Sequence, residues 1–425
     1  MFKSLSIGSK LILSTSIVIV IGIVILISII SHEVSTNINE QINDTLFQTS
    51  KRYANKMQGA LNESIVLIKA LARTINDEIG QRDFNVSSIE TILKNNFDSS
   101  SYATYAFLYL EDDSFLGGGN TIKQYRSESG AFGMVFFDTD ASKAGGIEAL
   151  QFNDSVRNFP IIQKLRSEVR SSGNNDILLV GEPNKFSFGS QKEFIAINIA
   201  MPIFSKSGKY IGAVGFMFDL ANFASYLLNP DLDLYEGDTR SLITSNGIIA
   251  VHENSSIVLK SLQEVNNRPE TQAVLDAIKA NTSEVFDHYI STTGLDSFGS
   301  IASFSTLDNS SKWSIFVTSP KKSVLESLYK LQLLLVFTGI IFLIIVLLVV
   351  YYCTRVIIAK RLSTLVSSLE TFFRFLNHEK VEVRLIKINA NDELGKMGSI
   401  INENIQKTQQ GLDKDTKAVE QSVAT

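Results

Sequence analysis

Residues 331–354 read LQLLLVFTGIIFLIIVLLVVYYCT, 24 positions without a charge. At about 1.5 Å per residue, a helix of that length crosses a hydrocarbon core of about 30 Å. Tyr351 and Tyr352 lie at one end, where amphipathic rings favour the headgroup level. Arg355, Lys360 and Arg361 follow and place that end in the cytoplasm. The competing reading is the buried helix of a large soluble core, but such helices rarely need so long an uncharged run. A second uncharged run covers Leu11 to Ser31, behind Lys3 and Lys10, so the N-terminus is cytoplasmic too. Its length, and its exit through LISIISHEV without an A-x-A site, favour an anchor over a cleaved signal peptide.

Two spans with both ends inside divide the chain. Residues 1–10 are cytoplasmic, 11–31 cross, 32–330 lie outside, 331–354 cross back, and 355–425 are cytoplasmic. The outer stretch is large enough for two packed domains. It holds no cysteine, since the only one is Cys353 at the inner edge of the second span. Its core must therefore hold it together without disulfides. The net charge of −5 is mild, and no basic stripe suggests a nucleic-acid partner.

From Glu33 to Ile79 apolar residues recur mostly at helical steps, with Gly59 the only interior glycine. We read residues 32–80 as one long stalk helix. Its apolar stripe needs its own domain, a second copy of itself, or both. Residues 81–230 then read as a β-rich module. Its strands are expected over Tyr102–Leu110, Ala131–Phe137, Ile177–Gly181, Phe194–Phe204 and Tyr210–Asp219. A helix is expected from Asp154 to Arg170, interrupted early by Pro160, and a short one from Leu220 to Leu228. Residues 231–320 repeat the order with strands at Ser241–Thr244, Ile248–Val251, Val285–Ile290, Ser300–Thr306 and Trp313–Thr318, and a helix at Pro269–Ala280. The fold class is thus α+β: two related modules with antiparallel sheets on a stalk helix, flanked by two spans. After the second span, residues 355–376 are amphipathic, a connector follows, and a second helix starts at Asp392-Glu393. Ile405, Leu412 and Val419 keep a seven-residue step, a coiled-coil signature.

Catalytic patterns are missing from this sequence. His32, His252, His288 and His378 form no i, i+4 metal pair. Gly117-Gly118-Gly119 lacks the Lys-Ser/Thr of a phosphate loop and reads as a turn. No G-x-S-x-G elbow occurs. No cofactor or metal is expected, and the chain does not read as an enzyme. A binding pocket fits better, being an apolar concavity with a few placed polar groups. Asp219 sits among Phe216, Met217, Phe218 and Leu220, where burying it unpaired is costly. It either serves a ligand or caps the helix after it. Tyr105, Phe107 and Tyr109 share one face of a strand, for packing or for pocket lining. Lys164, Arg166 and Arg170 either bind an anion or form a solvated helix face. His252 and Glu253 follow a strand, where a turn role accounts for them.

Three stretches of the outer part resemble the double Cache (dCache_1) sensor domains of bacterial chemoreceptors. They are GKYIGAVGFMFD at 208–219, SNGIIAVHEN at 245–254 and WSIFVTSP at 313–320. Asp392-Glu393-Leu394-Gly395 with Asn402 resembles a HAMP linker over 355–410, although the proline usual in its first helix is absent near Ala359-Lys360. The remainder, 411–425, resembles the start of the signalling helix of methyl-accepting chemotaxis proteins, without the methylation helices or the kinase-contacting tip.

The resemblance implies a bacterial inner-membrane homodimer, crossing lipid twice, with its sensor in the periplasm or outside. It implies that a small ligand binds the membrane-distal module, and that a histidine kinase and coupling protein are engaged through a part beyond residue 425. A histidine-kinase or diguanylate-cyclase output is the alternative, and an anchored outer enzyme or adhesive domain a further one. Asp219 matches the aspartate that grips a ligand ammonium in such domains. Arg157 and Phe159 stand where relatives carry R-x-R-P-W, here VRNFPII. Glu182 opens the segment where relatives place a tyrosine and an aspartate, here EPNKFSF. With that signature incomplete, the expected ligand is an amino acid, a carboxylate or another small metabolite. Asp219, Arg157, Phe159, Tyr109, Phe107, Glu182 and Lys164 are the candidate ligand residues.

Overall fold

The computed structural model describes residues 7–79, 85–111, 113, 123–188, 192–377, 379, 381–388 and 390–423. Gly117-Gly118-Gly119 and His378 lie outside these. Helix α1 spans Ile7–Ile79 without a break. Gly59 does not interrupt it, because one exposed glycine weakens a helix by only about 1 kcal/mol. The chain forms two compact units, one from Asn37 to Ser327 and one from the residues up to Thr36 together with those from Leu328 on.

In the first of these units the stalk part of α1 is the spine of the core. Leu46, Tyr53, Met57, Leu61, Ile65, Ile68, Leu71 and Ile75 are all buried, at the three-, four- and seven-residue steps that keep one helix face inward. Each fully buried aliphatic side chain of this kind contributes about 1.5–3 kcal/mol. The apolar faces of two antiparallel sheets close on this stripe in a single cluster.

Helix α2 (Val86–Asp98) leads into the first sheet. Its strands are β1 (Tyr105–Leu110), β2 (Phe132–Asp138), β3 (Ile147–Leu150), β4 (Leu179–Val180), β5 (Asn184–Phe186), β6 (Phe194–Phe204) and β7 (Tyr210–Asp219). They lie in the order β3-β2-β1-β7-β6-β4, with β5 also on β6. Strand alternation sorts the side chains. Ala106, Leu108 and Leu110 face the stalk, whereas Tyr105, Phe107 and Tyr109 face the opposite side. That opposite side is covered by α3 (Pro160–Ser172). Pro160 begins this helix rather than interrupting it, since the missing N–H costs nothing at the first position. A 3-10 turn at Val156–Asn158 stands where the helix was expected to start. The short strands β3 and β5 had no clear alternation to announce them.

The second sheet holds β8 (Thr239–Thr244), β9 (Ile249–Val251), β10 (Glu284–Ile290), β11 (Asp296–Ser305) and β12 (Lys312–Pro320), in the order β10-β11-β12-β8-β9. Between the sheets, α4 (Leu220–Phe223) is a single turn, shorter than the expected helix to Leu228. Helices α5 (Leu262–Val265) and α6 (Pro269–Ala280) cover the outer face of the second sheet. If the extra edge strands are set aside, each sheet orders its strands 2-1-5-4-3. The repeat expected from the succession of elements is therefore a repeat of topology.

Helix α7 (Lys321–Val324) leads by chain continuity into α8 (Glu326–Tyr352). A π-helical segment, Cys353–Ala359, joins α8 to α9 (Lys360–Leu376), and α10 (Glu393–Val423) ends the described chain. Leu365, Phe372, Ile401 and Ile405 pack α9 on α10. Asn402 holds the connector by donating to Ile386 O at 2.8 Å and accepting from Ile386 N–H at 2.7 Å. Arg361 pairs with Asp392 at 2.6 Å, and Asp392 accepts from Gly395 N–H at 2.8 Å. Helices α1 and α8 each contain a window long and apolar enough to cross a membrane.

Candidate functional site

A cavity of about 640 Å³ lies where the two sheets meet the segment between them. The first module contributes Tyr105 from β1, Phe137 from β2, Phe194 and Ile195 from β6, and Asp219 at the end of β7. The second contributes Val251, His252, Glu253, Ser255 and Val258, at and after β9. The rings make an aromatic wall: Tyr105 stacks on Phe194 at 4.6 Å between centroids and tilts against Phe137 at 5.0 Å. The larger part of the lining is apolar, with carboxylates set into it, as in most small-molecule sites.

Asp219 takes the capping role, one of its two sequence readings. It is the N-cap of α4, its Oδ1 accepting from Ala221 N–H at 2.9 Å. It also lines the cavity. Burial pushes its pKa up, opposed by the Ala221 bond. No cation pairs with it among the described residues. Nearby, Tyr105 is pushed up to about 12, by burial first and by the Asp219 charge second. Lys192 also lines the cavity, and Glu193 beside it pairs with Lys185 at 2.9 Å. On the second module, His252 Nδ1 accepts from Asn254 N–H at 2.9 Å, the expected turn role. Burial lowers the His252 pKa, which keeps the ring neutral. Burial raises that of Glu253, against the pull of Arg240.

Glu253 connects the cavity to a buried arginine. Its Oε1 accepts from Arg240 N–H at 3.3 Å and lies 3.9 Å from Arg240 Nε. Arg240 is 3% exposed. Its guanidinium donates to Tyr53 Oη on the stalk at 3.0 Å, to Asn229 O at 3.1 Å, and to Asp233. Arg240 Nε itself has no hydrogen-bond acceptor among the described residues. One side chain thus ties the stalk, the segment between the modules and the second sheet to the cavity wall.

The remaining predicted residues do not line this cavity. Phe107 and Phe159 pack against each other at 6.0 Å, and Phe159 against Phe186 at 4.9 Å, inside the core between β1 and α3. Tyr109 stacks on Phe152 at the far end of β1. Arg157 lines a surface hollow with Asp154, Gln163 and Arg166. Lys164 and Glu182 both line a separate cavity of about 140 Å³ under α3, with Asn198 and Phe186. Aromatic packing therefore separates the seven candidates into distinct places. Sequence reasoning left out Lys192, Phe137, Phe194 and Arg240. No spacing rule marks them, since they come from β2, β6, β8 and the loop before β6.

Comparisons with known proteins bear on this arrangement. The periplasmic sensory domain of the Campylobacter jejuni chemoreceptor Tlp1 is similar at 32% identity and TM-score 0.60, over 68% of this chain and 98% of that one. This chain belongs to the double Cache sensor family. Residues 120–292 match dCache_3, described as a double sensory domain of two-component sensor kinase, where the sequence motifs resemble dCache_1. Two further structures share the double Cache fold. One is a methyl-accepting chemotaxis protein X, at 17% identity and TM-score 0.52, over 66% of this chain and all of that one. The other is the extracellular domain of a putative histidine kinase, mmHK1S-Z3, at 15% identity and TM-score 0.50, over 67% of this chain and 97% of that one. No curated protein matches the chain. The family and the Tlp1 domain are sensory rather than enzymatic.

Proposed function

We propose that this chain is the sensing and transmitting part of a two-span membrane receptor. A small extracytoplasmic molecule binds in the cavity at Asp219, and the change passes through α8 to a HAMP-like helix pair. The observation that carries this reading is the cavity itself. It sits in a double Cache sensor, is walled by aromatic rings, and exposes a carboxylate with no cationic partner among the described residues. We keep the ligand class expected from the sequence as part of this proposal: an amino acid, a carboxylate or another small metabolite. The carboxylate favours a molecule with an amine or another donor group.

Arg240 supports a route for the signal. Ligand near Glu253 changes the charge that Arg240 feels at 3.9 Å, and the guanidinium passes the change to Tyr53 on the stalk that continues into the first span. A ligand shifts a two-state receptor only by its differential affinity for the two states. The HAMP-like reading is supported by the Asp392–Gly395 cap and the Asn402 clasp. Leu412 and Val419 are exposed on α10 one heptad apart, which suits a homodimeric coiled coil. We place the receptor in the bacterial inner membrane, with an output of the chemoreceptor kind, through a histidine kinase and coupling protein. A sensor-kinase output is the second reading, favoured by the dCache_3 description.

Calorimetry on the full chain in lipid nanodiscs, against amino acids, carboxylates and amines, tests the site. We expect one class to bind and Asp219→Ala to abolish that binding. Binding that survives Asp219→Ala would move the site elsewhere.

A further inference from the structure

The wall contributed by the second module holds a polar group that the reading above leaves idle. His252 is 7% exposed and lies directly after β9. Its Nδ1 accepts a backbone N–H, so that nitrogen carries no proton. The neutral ring must hold its hydrogen on Nε2, where it is a donor. Nε2 has no partner among the described residues, and it is not among the side-chain atoms sealed in packed protein. The open space that this side chain lines is the cavity. A nearly buried donor with a fixed tautomer therefore faces a hollow whose other wall carries Asp219.

We propose that His252 is a ligand-binding residue, donating from Nε2 to an acceptor oxygen of a molecule that Asp219 holds at its other end. This rests on the cavity being the ligand site. The molecule then carries an amine or other donor, an apolar or aromatic body that lies against Tyr105, Phe137 and Phe194, and a carbonyl, carboxylate or hydroxyl oxygen. Such a molecule touches both modules at once. The segment it pulls on includes Glu253, whose carboxylate lies 3.9 Å from Arg240 Nε, so bridging the cavity acts directly on the buried arginine. A ligand with the amine alone binds one module and leaves that segment where it is.

Two probes of one shape separate the contributions: benzylamine, and 4-(aminomethyl)benzamide, which adds the acceptor. Calorimetry uses the full chain in nanodiscs. The benzamide is expected to bind about 3–10-fold more tightly, the worth of one hydrogen bond between neutral groups. His252→Ala narrows the gap to less than about twofold. His252→Asn, which keeps an acceptor for Asn254 N–H and a donor beyond it, restores part of the gap. Nitrogen NMR on labelled histidine in the wild-type chain gives a readout free of any folding defect in a variant. The Nε2 resonance moves with the benzamide and stays put with benzylamine. Equal affinities for the two probes, or a preference that survives His252→Ala, overturns the role of His252 and leaves the cavity standing as an amine site. Failure of both probes to bind overturns the role together with the cavity reading.

Discussion

Arg240 is the residue whose loss the fold should feel most. Removing it leaves Asp233 without its cation and strips Tyr53 Oη and Asn229 O of a donor. Breaking a buried pair from one side costs about 3–5 kcal/mol. Arg240→Ala is expected to lower urea-unfolding stability by that amount and Tyr53→Phe by about 1 kcal/mol. A loss below that of Tyr53→Phe would remove Arg240 from the centre of the network. The cavity groups pull stability in opposite directions with pH. His252 has a lowered pKa when folded, so its contribution is full above the unfolded value of about 6.5 and is lost as pH falls below it. Asp219 and Glu253 have raised values, so their folded forms lose ground as pH rises through those values. Melting curves should therefore show the wild type losing its stability advantage over His252→Ala as the solution is acidified below that point. Asp219→Asn should melt higher than wild type at neutral pH, because it keeps an acceptor for Ala221 N–H without burying a charge.

At the scale of elements, two glycines carry opposite predictions. Gly59 lies inside α1 on an open face, and a Cβ there meets nothing within 4 Å. Gly59→Ala should stabilise the stalk by about 0.5–1 kcal/mol, read by thermal melting. A lower melting temperature would mean that this face is covered in the assembled receptor. Gly395 is the reverse case, since a Cβ there would lie 1.8 Å from Ala390 O. Gly395→Val should therefore displace the turn that leads into α10. Asn402→Ala should free the connector at Ile386, where it loses two backbone bonds. Limited proteolysis between α9 and α10 should become faster in both variants, and unchanged cleavage would argue against the clasp.

The whole molecule makes a topological claim. Cys353 is the only native cysteine, so Cys353→Ala gives a clean background for single-cysteine labelling. A membrane-impermeant thiol reagent applied to intact cells should label K279C directly and K414C only after permeabilisation. Both positions are exposed in their own units, so access reports on the membrane rather than on burial. Labelling of both from outside would end the two-span reading and the receptor with it.

The two long apolar helices, the stalk and the strand alternation were legible in the sequence because each depends on neighbours within a few residues. An uncharged run needs no partner to declare its length. Phe194–Phe204 and Tyr210–Asp219 declare themselves as buried strands in the same way, and the structure places both with those bounds. The seven candidate ligand residues were chosen by chemistry and resemblance, and only packing could sort them. Phe107 and Phe159 fill the space between sheet and helix, Arg157 turns to the surface, and Asp219 alone reaches the larger cavity. That cavity joins residues more than a hundred positions apart, from β1 to the segment after β9, and its link to Tyr53 runs through an arginine that the sequence leaves unmarked. Local composition sets the rods and ribbons, whereas the distances between side chains remote along the chain exist only once the two sheets have closed on the stalk.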